Sequence, residues 1–291
     1  MSEIALISGL APLAEDYDVF IIDLWGVLHD GMTAFPEAVA CLEALKARKK
    51  TVIILSNAPR RAESVAARNS ELGIPAALCD LVMSSGEETW RHLRERPTPW
   101  YQALGRRCYH LGPERDIVIR EGLAYDFVDN VEGSDFILLT GALRTEDSLA
   151  TYQAFLSSLQ ARRLPMVCAN PDLEVIRGGR REICAGTIAR GYEALGGEVT
   201  YHGKPDPRIY ANCLQQIGKS DPEGVLVIGD SLRTDLAGAA RSGMDSLFIA
   251  EGIHADEMGL GAGVALGERQ LRALFDGSEV RPRAAMTRLR W

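Results

Sequence analysis

The amino-acid sequence predicts an α/β fold: a doubly wound, Rossmann-like parallel sheet core that carries an inserted second α/β unit. Three observations predict it. Short apolar runs such as Val19-Phe20-Ile21-Ile22 and Val225-Leu226-Val227-Ile228 lack in–out alternation, as strands buried on both faces do. Stretches of helical spacing separate such runs, which calls for right-handed βαβ crossovers and parallel pairing. From about residue 87 the alternation starts afresh, with enough apolar residues for a core of its own.

The elements follow in order. Strand 19–23 leads into a loop holding Gly26, His29, Asp30 and Gly31, and a helix follows Pro36, with Ala38, Val39, Leu42 and Leu45 at helical spacing. Strand 51–55 comes next, then a helix from about Arg60 to Leu72 stopped by Gly73 and Pro75, and a short strand at Leu81-Val82-Met83. In the inserted segment, Arg107–Leu111, Phe136–Leu139 and Pro165–Ala169 read as strands and Glu146–Gln160 as a helix. After Gly196-Gly197 the chain is expected to return to the core through strand 198–202, helix 206–217, strand 225–228, helix 234–242 and strand 245–250. This reading divides the chain into a core of residues 1–86 plus 200–291 and an insertion of residues 87–199.

Composition bounds the function. The 291 residues are 46% hydrophobic and 25% charged, ordinary values for a globular protein with room for two cores. A formal charge of −8 argues against nucleic acid as partner. The basic residues Arg281, Arg283, Arg288 and Arg290 read as a tail docked on an acidic body. Six cysteines without metal-ligand spacing read as buried, reduced thiols. No basic-then-apolar leader and no run of about 18 apolar residues is present, so a cytoplasmic protein with no membrane contact is expected.

The chemistry gathers at strand ends. Asp23 closes the first apolar run, and Gly229-Asp230-Ser231-Leu232-Arg233-Thr234-Asp235 follows a later one. Open α/β sheets place reacting groups at the carboxyl ends of their strands, so the sheet is expected to gather these acids around a cation. Between them lie Leu55-Ser56-Asn57, closing a third run, and Gly203-Lys204-Pro205. A carboxylate can attack phosphorus, but only if charge is neutralised nearby. Asp23 is the candidate nucleophile, and Asp23 and Asp230 are candidate ligands of Mg²⁺, which favours oxygen donors. Asp235 is expected to support the metal shell through water or hydrogen bonds, with Lys204 offsetting charge on Asp23 and the phosphoryl group. Ser56 and the amide of Asn57 are expected to donate to phosphate oxygens.

Those four pieces, in that order, resemble the four motifs of the haloacid dehalogenase superfamily of aspartyl-phosphate phosphatases, in its class IIA, NagD-like branch. The resemblance covers nearly the whole chain. It implies that the insertion is an α/β cap over the core's carboxyl edge, and that the backbone carbonyl of Trp25 is a further metal ligand. The activity it implies is hydrolysis of small phosphorylated metabolites, sugar phosphates or nucleotides, through an aspartyl-phosphate. Related caps form dimer contacts, so a homodimer is among the expectations.

One residue departs from the pattern. Two places after the nucleophile such phosphatases carry a second aspartate as general acid/base, and here Trp25 stands there. An indole has no titratable proton near neutral pH, and acid/base help is worth about 10²–10⁴ in rate. Three readings follow: a preference for leaving groups that need little protonation, a substitute acid with His29 ahead of His202 and His254, or a phospho-ligand-binding protein that turns over poorly. Dehalogenases carry an aromatic at this place, which makes carbon–halogen hydrolysis a further alternative; they work without the metal that Asp230 and Asp235 suggest.

In the insertion, Ala169-Asn170-Pro171-Asp172 and Ile183-Cys184-Ala185-Gly186-Thr187 resemble the loops of a NagD-like cap, with Asn170 and Asp172 as candidate contacts to the substrate's non-phosphate part. Turn chemistry beside a proline explains the same two residues equally well. The run Arg177-Gly178-Gly179-Arg180-Arg181 reads as a solvated basic loop. Gly259-Leu260-Gly261-Ala262-Gly263 mimics a dinucleotide fingerprint but follows no strand, and is set aside.

Overall fold

A computed structural model describes residues 4–260 and 265–291; part of the Gly259–Gly263 run thus lies outside the described residues. Seven parallel strands form the larger sheet, in the spatial order Ala5–Leu6, Ala284–Met286, Asp245–Ile249, Val225–Gly229, Val19–Ile22, Thr51–Ser56, Leu81–Ser84. Its central strands are apolar on both faces because helices cover both. The helix Pro36–Ala47 buries Ala38, Cys41, Leu42 and Leu45 with one cluster, and Pro207–Gln216 buries Ile209, Tyr210, Cys213 and Leu214 with the other. Phe20 and Phe248 are fully buried, and truncating either to alanine costs about 3–5 kcal/mol.

The second sheet has five parallel strands, ordered Val199–Tyr201, Met166–Cys168, Phe136–Leu139, Arg107–Leu111, Asp126–Val128. Leu149–Ala161 and Ala185–Ala194 pack on one face through Leu156, Leu159, Ile188 and Tyr192. On the other face lie Trp90 and Leu93, from the helix Ser85–Glu95, and Tyr101. An antiparallel hairpin, Glu174–Arg177 with Arg180–Ile183, projects from this unit, so the arginine-rich run forms the hairpin's tip rather than a plain loop.

Several sequence expectations shift. The strand expected at 198–202 to open the return to the core pairs instead with Met166–Cys168, as an edge of the smaller sheet. The helix expected at 234–242 starts earlier, as a π-turn over Leu232–Leu236 that runs into Ala237–Arg241. The basic tail is not merely docked: Ala284–Met286 enters the larger sheet between Ala5–Leu6 and Asp245–Ile249, and only then do Arg288 and Arg290 reach Glu251 and the Ser8 carbonyl. Three small residues carry too little apolar signal to announce a strand. All six cysteines are free, and five are buried. Among the described residues no helix is long and apolar enough to cross a membrane.

Candidate active site

In the larger sheet the chain runs from Val19–Ile22 outward to one side and from Val225–Gly229 outward to the other. The crevice between these neighbours is the sheet's topological switch point, where the loops leaving two adjacent strands part company. Asp23 leaves one strand and Asp230 the other, so the topology brings together two acids far apart in sequence. The Asp23 amide still donates to Ile228 oxygen (2.9 Å), continuing the ladder that sets their register.

Carboxylate oxygens of Asp23, Asp230 and Asp235 lie within 4.8 Å of one another, all buried. Two oxygens on opposite sides of one Mg²⁺ stand about 4.2 Å apart, given Mg–O bonds of about 2.1 Å. The oxygen-only donor set and its spacing therefore fit such an ion. Charge points the same way. The ammonium of Lys204 donates to Asp23 Oδ1 (2.5 Å) and Asp235 Oδ1 (2.7 Å), which leaves three carboxylates against one cation. Burial raises the pKa of Asp23 despite Lys204, and burial together with Asp23 and Asp235 raises that of Asp230 well above its usual range. Asp235 is pushed up to about 6 by burial. Burial opposes the Lys204 ammonium, yet Asp23 and Asp235 hold its pKa well above normal.

Neighbouring backbone makes room for these acids. Asp230 is wedged between Gly26 and Gly252, where a β-carbon would collide with its carboxylate, and its Oδ2 accepts the Ile253 N–H at 2.7 Å. Gly26 also sits at φ +74°, a left-handed conformation that a side chain would strain. This contact puts the backbone of Gly26 directly beside Asp230. Asp235 Oδ2 accepts the Ser231 amide (3.2 Å), and the Ser231 hydroxyl caps the following turn through Thr234 N–H (3.3 Å). Gly252 and Ile253 escaped the sequence reading because no motif precedes them; they reach the site only through the neighbouring strand Asp245–Ile249.

The side chain of Asn57 is engaged within the protein. Its Oδ1 accepts the Lys204 amide (2.8 Å), and its Nδ2 donates to the Lys204 carbonyl (3.1 Å) and to Asp172 Oδ1 (2.8 Å). The side chain thus clamps the lysine's backbone and ties it to the Asp172 loop, which leaves only the backbone amide of Asn57 for a phosphate. Ser56 lines the same cavity, its oxygen accepting from Ala58 N–H (3.2 Å). Asn170 Oδ1 accepts the Asp172 amide (3.0 Å), the local turn bond that Asx residues make, while both side chains face the cavity. Burial raises the pKa of Asp172.

The cavity beside Asp23 has a volume of about 290 Å³ and runs from Asp23 and Ser56 to the loops of the smaller sheet. Trp25 forms part of its wall. The Arg177 guanidinium, from the hairpin, sits over the indole at 4.8 Å from the ring centroid, and Gly31 lies so close that a β-carbon there would strike the ring. His29 stands edge-on to the indole, with ring centroids 5.1 Å apart. His29 Nδ1 accepts the Gly31 N–H (3.0 Å), and burial lowers its pKa to about 4. With Nδ1 accepting, the ring proton of a neutral imidazole stands on Nε2, and burial works against the imidazolium form. His202 is fully enclosed beside Glu88 and Tyr101, while His254 is bound to Glu257 and the Leu232 amide.

A doubly wound core with four site motifs at its switch point and a second α/β unit over it defines a class. Residues 20–124 match the model of the haloacid dehalogenase-like hydrolases, and residues 201–265 match a HAD-hydrolase-like model. The chain belongs to the haloacid dehalogenase-like hydrolase family. It is 34% identical to a crystallised hydrolase of that family from Brucella suis, covering 98% of this chain and 100% of that one, with a TM-score of 0.83. It is also 26% identical over 245 residues to D-glycerol 3-phosphate phosphatase of Mycobacterium tuberculosis, a match spanning 83% of this chain and 65% of that protein. To the ribonucleotide monophosphatase NagD of Escherichia coli it is 23% identical, over 80% and 87% of the two chains.

Proposed function

We propose that this protein is a Mg²⁺-dependent phosphatase of small phosphorylated metabolites that works through an aspartyl-phosphate on Asp23. The observation that carries the reading is the convergence of three carboxylates at the core's switch point, two of them, Asp23 and Asp235, bonded to one lysine. The phosphatases among its relatives support it. Asp23, Asp230 and the Trp25 carbonyl would hold the metal, with Asp235 behind them. Bound there, Mg²⁺ would offset the charge of the carboxylates and of a phosphoryl oxygen.

In the first step a carboxylate oxygen of Asp23 bonds to phosphorus as the ester oxygen leaves with its electron pair; water then attacks the acyl phosphate, releasing phosphate and restoring the carboxylate. Lys204 keeps the Asp23 carboxylate oriented and ionised, and Ser56 and the Asn57 amide hold phosphoryl oxygens. The smaller sheet with its hairpin acts as the cap, closing through Arg177 on Trp25. With an indole where an acid would stand, the departing oxygen takes its proton from water, so esters with good leaving groups react fastest.

Initial rates on p-nitrophenyl phosphate, with Mg²⁺ present and then chelated, test the proposal. Metal-dependent release of p-nitrophenol is expected. Binding of phosphate esters with turnover no faster than the uncatalysed reaction would instead mark a phospho-ligand-binding protein.

A further inference from the structure

The smaller sheet has a switch point of its own. From Arg107–Leu111 the chain first adds Asp126–Val128 on one side and then builds every later strand on the other, starting with Phe136–Leu139. The crevice therefore opens between the loops after Leu111 and after Leu139, where an open α/β sheet takes its ligands. Those two loops, 112–116 and 140–146, line the far end of the cavity that begins at Asp23.

The crevice is built rather than incidental. His110 Nε2 and Thr140 Oγ1 share a hydrogen bond of 2.9 Å across the two strands, and Arg120 Nε donates to His110 Nδ1 at 2.9 Å. Gly112 lets the loops close up, since a β-carbon there would collide with Thr140 Oγ1. Buried Asp116 is paired with Arg60 at 3.0 Å, joining the loop after Leu111 to the core segment just beyond Ser56 and Asn57. Two exposed arginines, Arg115 and Arg144, line the cavity from these loops, and among the described residues neither guanidinium forms an ion pair or hydrogen bond. Asp116 is matched by Arg60, and of the other carboxylates of these loops, Glu114 and Glu146, only Glu146 lines the cavity with the two arginines.

We infer that this second crevice binds the non-phosphate end of the substrate, and that Arg115 and Arg144 select phosphate monoesters carrying a second anionic group. The inference rests on the phosphatase reading for the other end of the ligand. Charge-assisted bonds from arginine to a carboxylate or phosphoryl group supply the recognition.

Two matched pairs of compounds test it: 3-phosphoglycerate against glycerol 3-phosphate, and fructose 1,6-bisphosphate against fructose 6-phosphate. The Kd of each is read by calorimetry on Asp23→Asn protein with Mg²⁺, which needs no turnover, and kcat/KM on the wild type. At least a tenfold preference for the more anionic member of one pair is expected, and the pair that shows it tells carboxylate from phosphoryl. The double substitution Arg115→Gln with Arg144→Gln should cut that ratio about tenfold, in protein whose melting temperature shows it is folded. Equal affinity within both pairs, or a preference unmoved by the double substitution, overturns the inference while leaving hydrolysis of the less anionic members to support the phosphatase reading. Failure of all four compounds to bind or react overturns both.

Discussion

The two sheets solve one topological problem with opposite chemistry. Each is parallel, each reverses its winding once, and each opens its crevice on the same cavity. At the larger sheet's crevice stand the acids Asp23, Asp230 and Asp235, the first and last bonded to a buried lysine. At the smaller sheet's stand exposed arginines without ion partners among the described residues. Buried charges are costly unless compensated, so the first crevice is rigid, specific and in want of a cation. Exposed arginines remain hydrated and cost little, so the second crevice is free to vary with the ligand. Topology places a site, and burial decides whether it performs chemistry or recognition.

That contrast can be broken experimentally, most sharply at its acidic end. Asp23→Asn should lower turnover of an aryl phosphate by at least about 10⁴-fold, because the carboxylate nucleophile is gone. Loss of less than about tenfold would show that Asp23 is not the attacking group.

Acid should next expose the difference between buried and exposed basic groups. His29 and His110 have pKa values lowered to about 4 by burial, with Arg120 adding to the effect at His110. Unfolded histidine titrates near 6.5, so between about pH 6.5 and 4 the unfolded chain binds protons that the folded one refuses. Stability from these groups is complete above about pH 6.5 and is lost as pH falls towards 4, by up to about 3 kcal/mol each. Denaturant unfolding across that window should show it, and His110→Gln should have the shallower slope.

The metal can be weighed without any turnover. At a concentration one hundred times its Kd, Mg²⁺ should stabilise the folded chain by about 2.7 kcal/mol. Asp230→Asn should remove most of that gain in thermal unfolding; an undiminished gain would place the ion elsewhere. Gly112→Ala should cost about 1–3 kcal/mol through the clash with Thr140 Oγ1, as overpacking does, with no change in Mg²⁺ affinity. A change in metal affinity there would mean that the two crevices are not independent. At Trp25→Asp, restoring a carboxylic acid should favour alkyl over aryl phosphates by up to about 10²-fold, measured as a ratio of kcat/KM.

Much of this was legible in the chain itself. Val19–Ile22 and Val225–Ile228 announced buried parallel strands because both faces are apolar, and the acids that end them were evident because a carboxylate after such a run has few structural reasons to be there. Asp23, Lys204, Asp230 and Asp235 all fall at one place. What escaped was set by neighbours distant in sequence. The strand at 199–201 looked like a core strand, because an apolar run states that it is buried and says nothing of its partner. The side chain of Asn57 carries no sign in the sequence of its bonds to the Lys204 backbone and Asp172.

Sequence alone thus established which side chains bring chemistry and at which strand ends they stand, because buried periodicity and residue type are local properties. Which strand lies beside which, how Gly26 and Gly252 admit Asp230, and how burial lowers the pKa of His29 are properties of packing. They depend on desolvation and contact between segments that only the folded chain brings together.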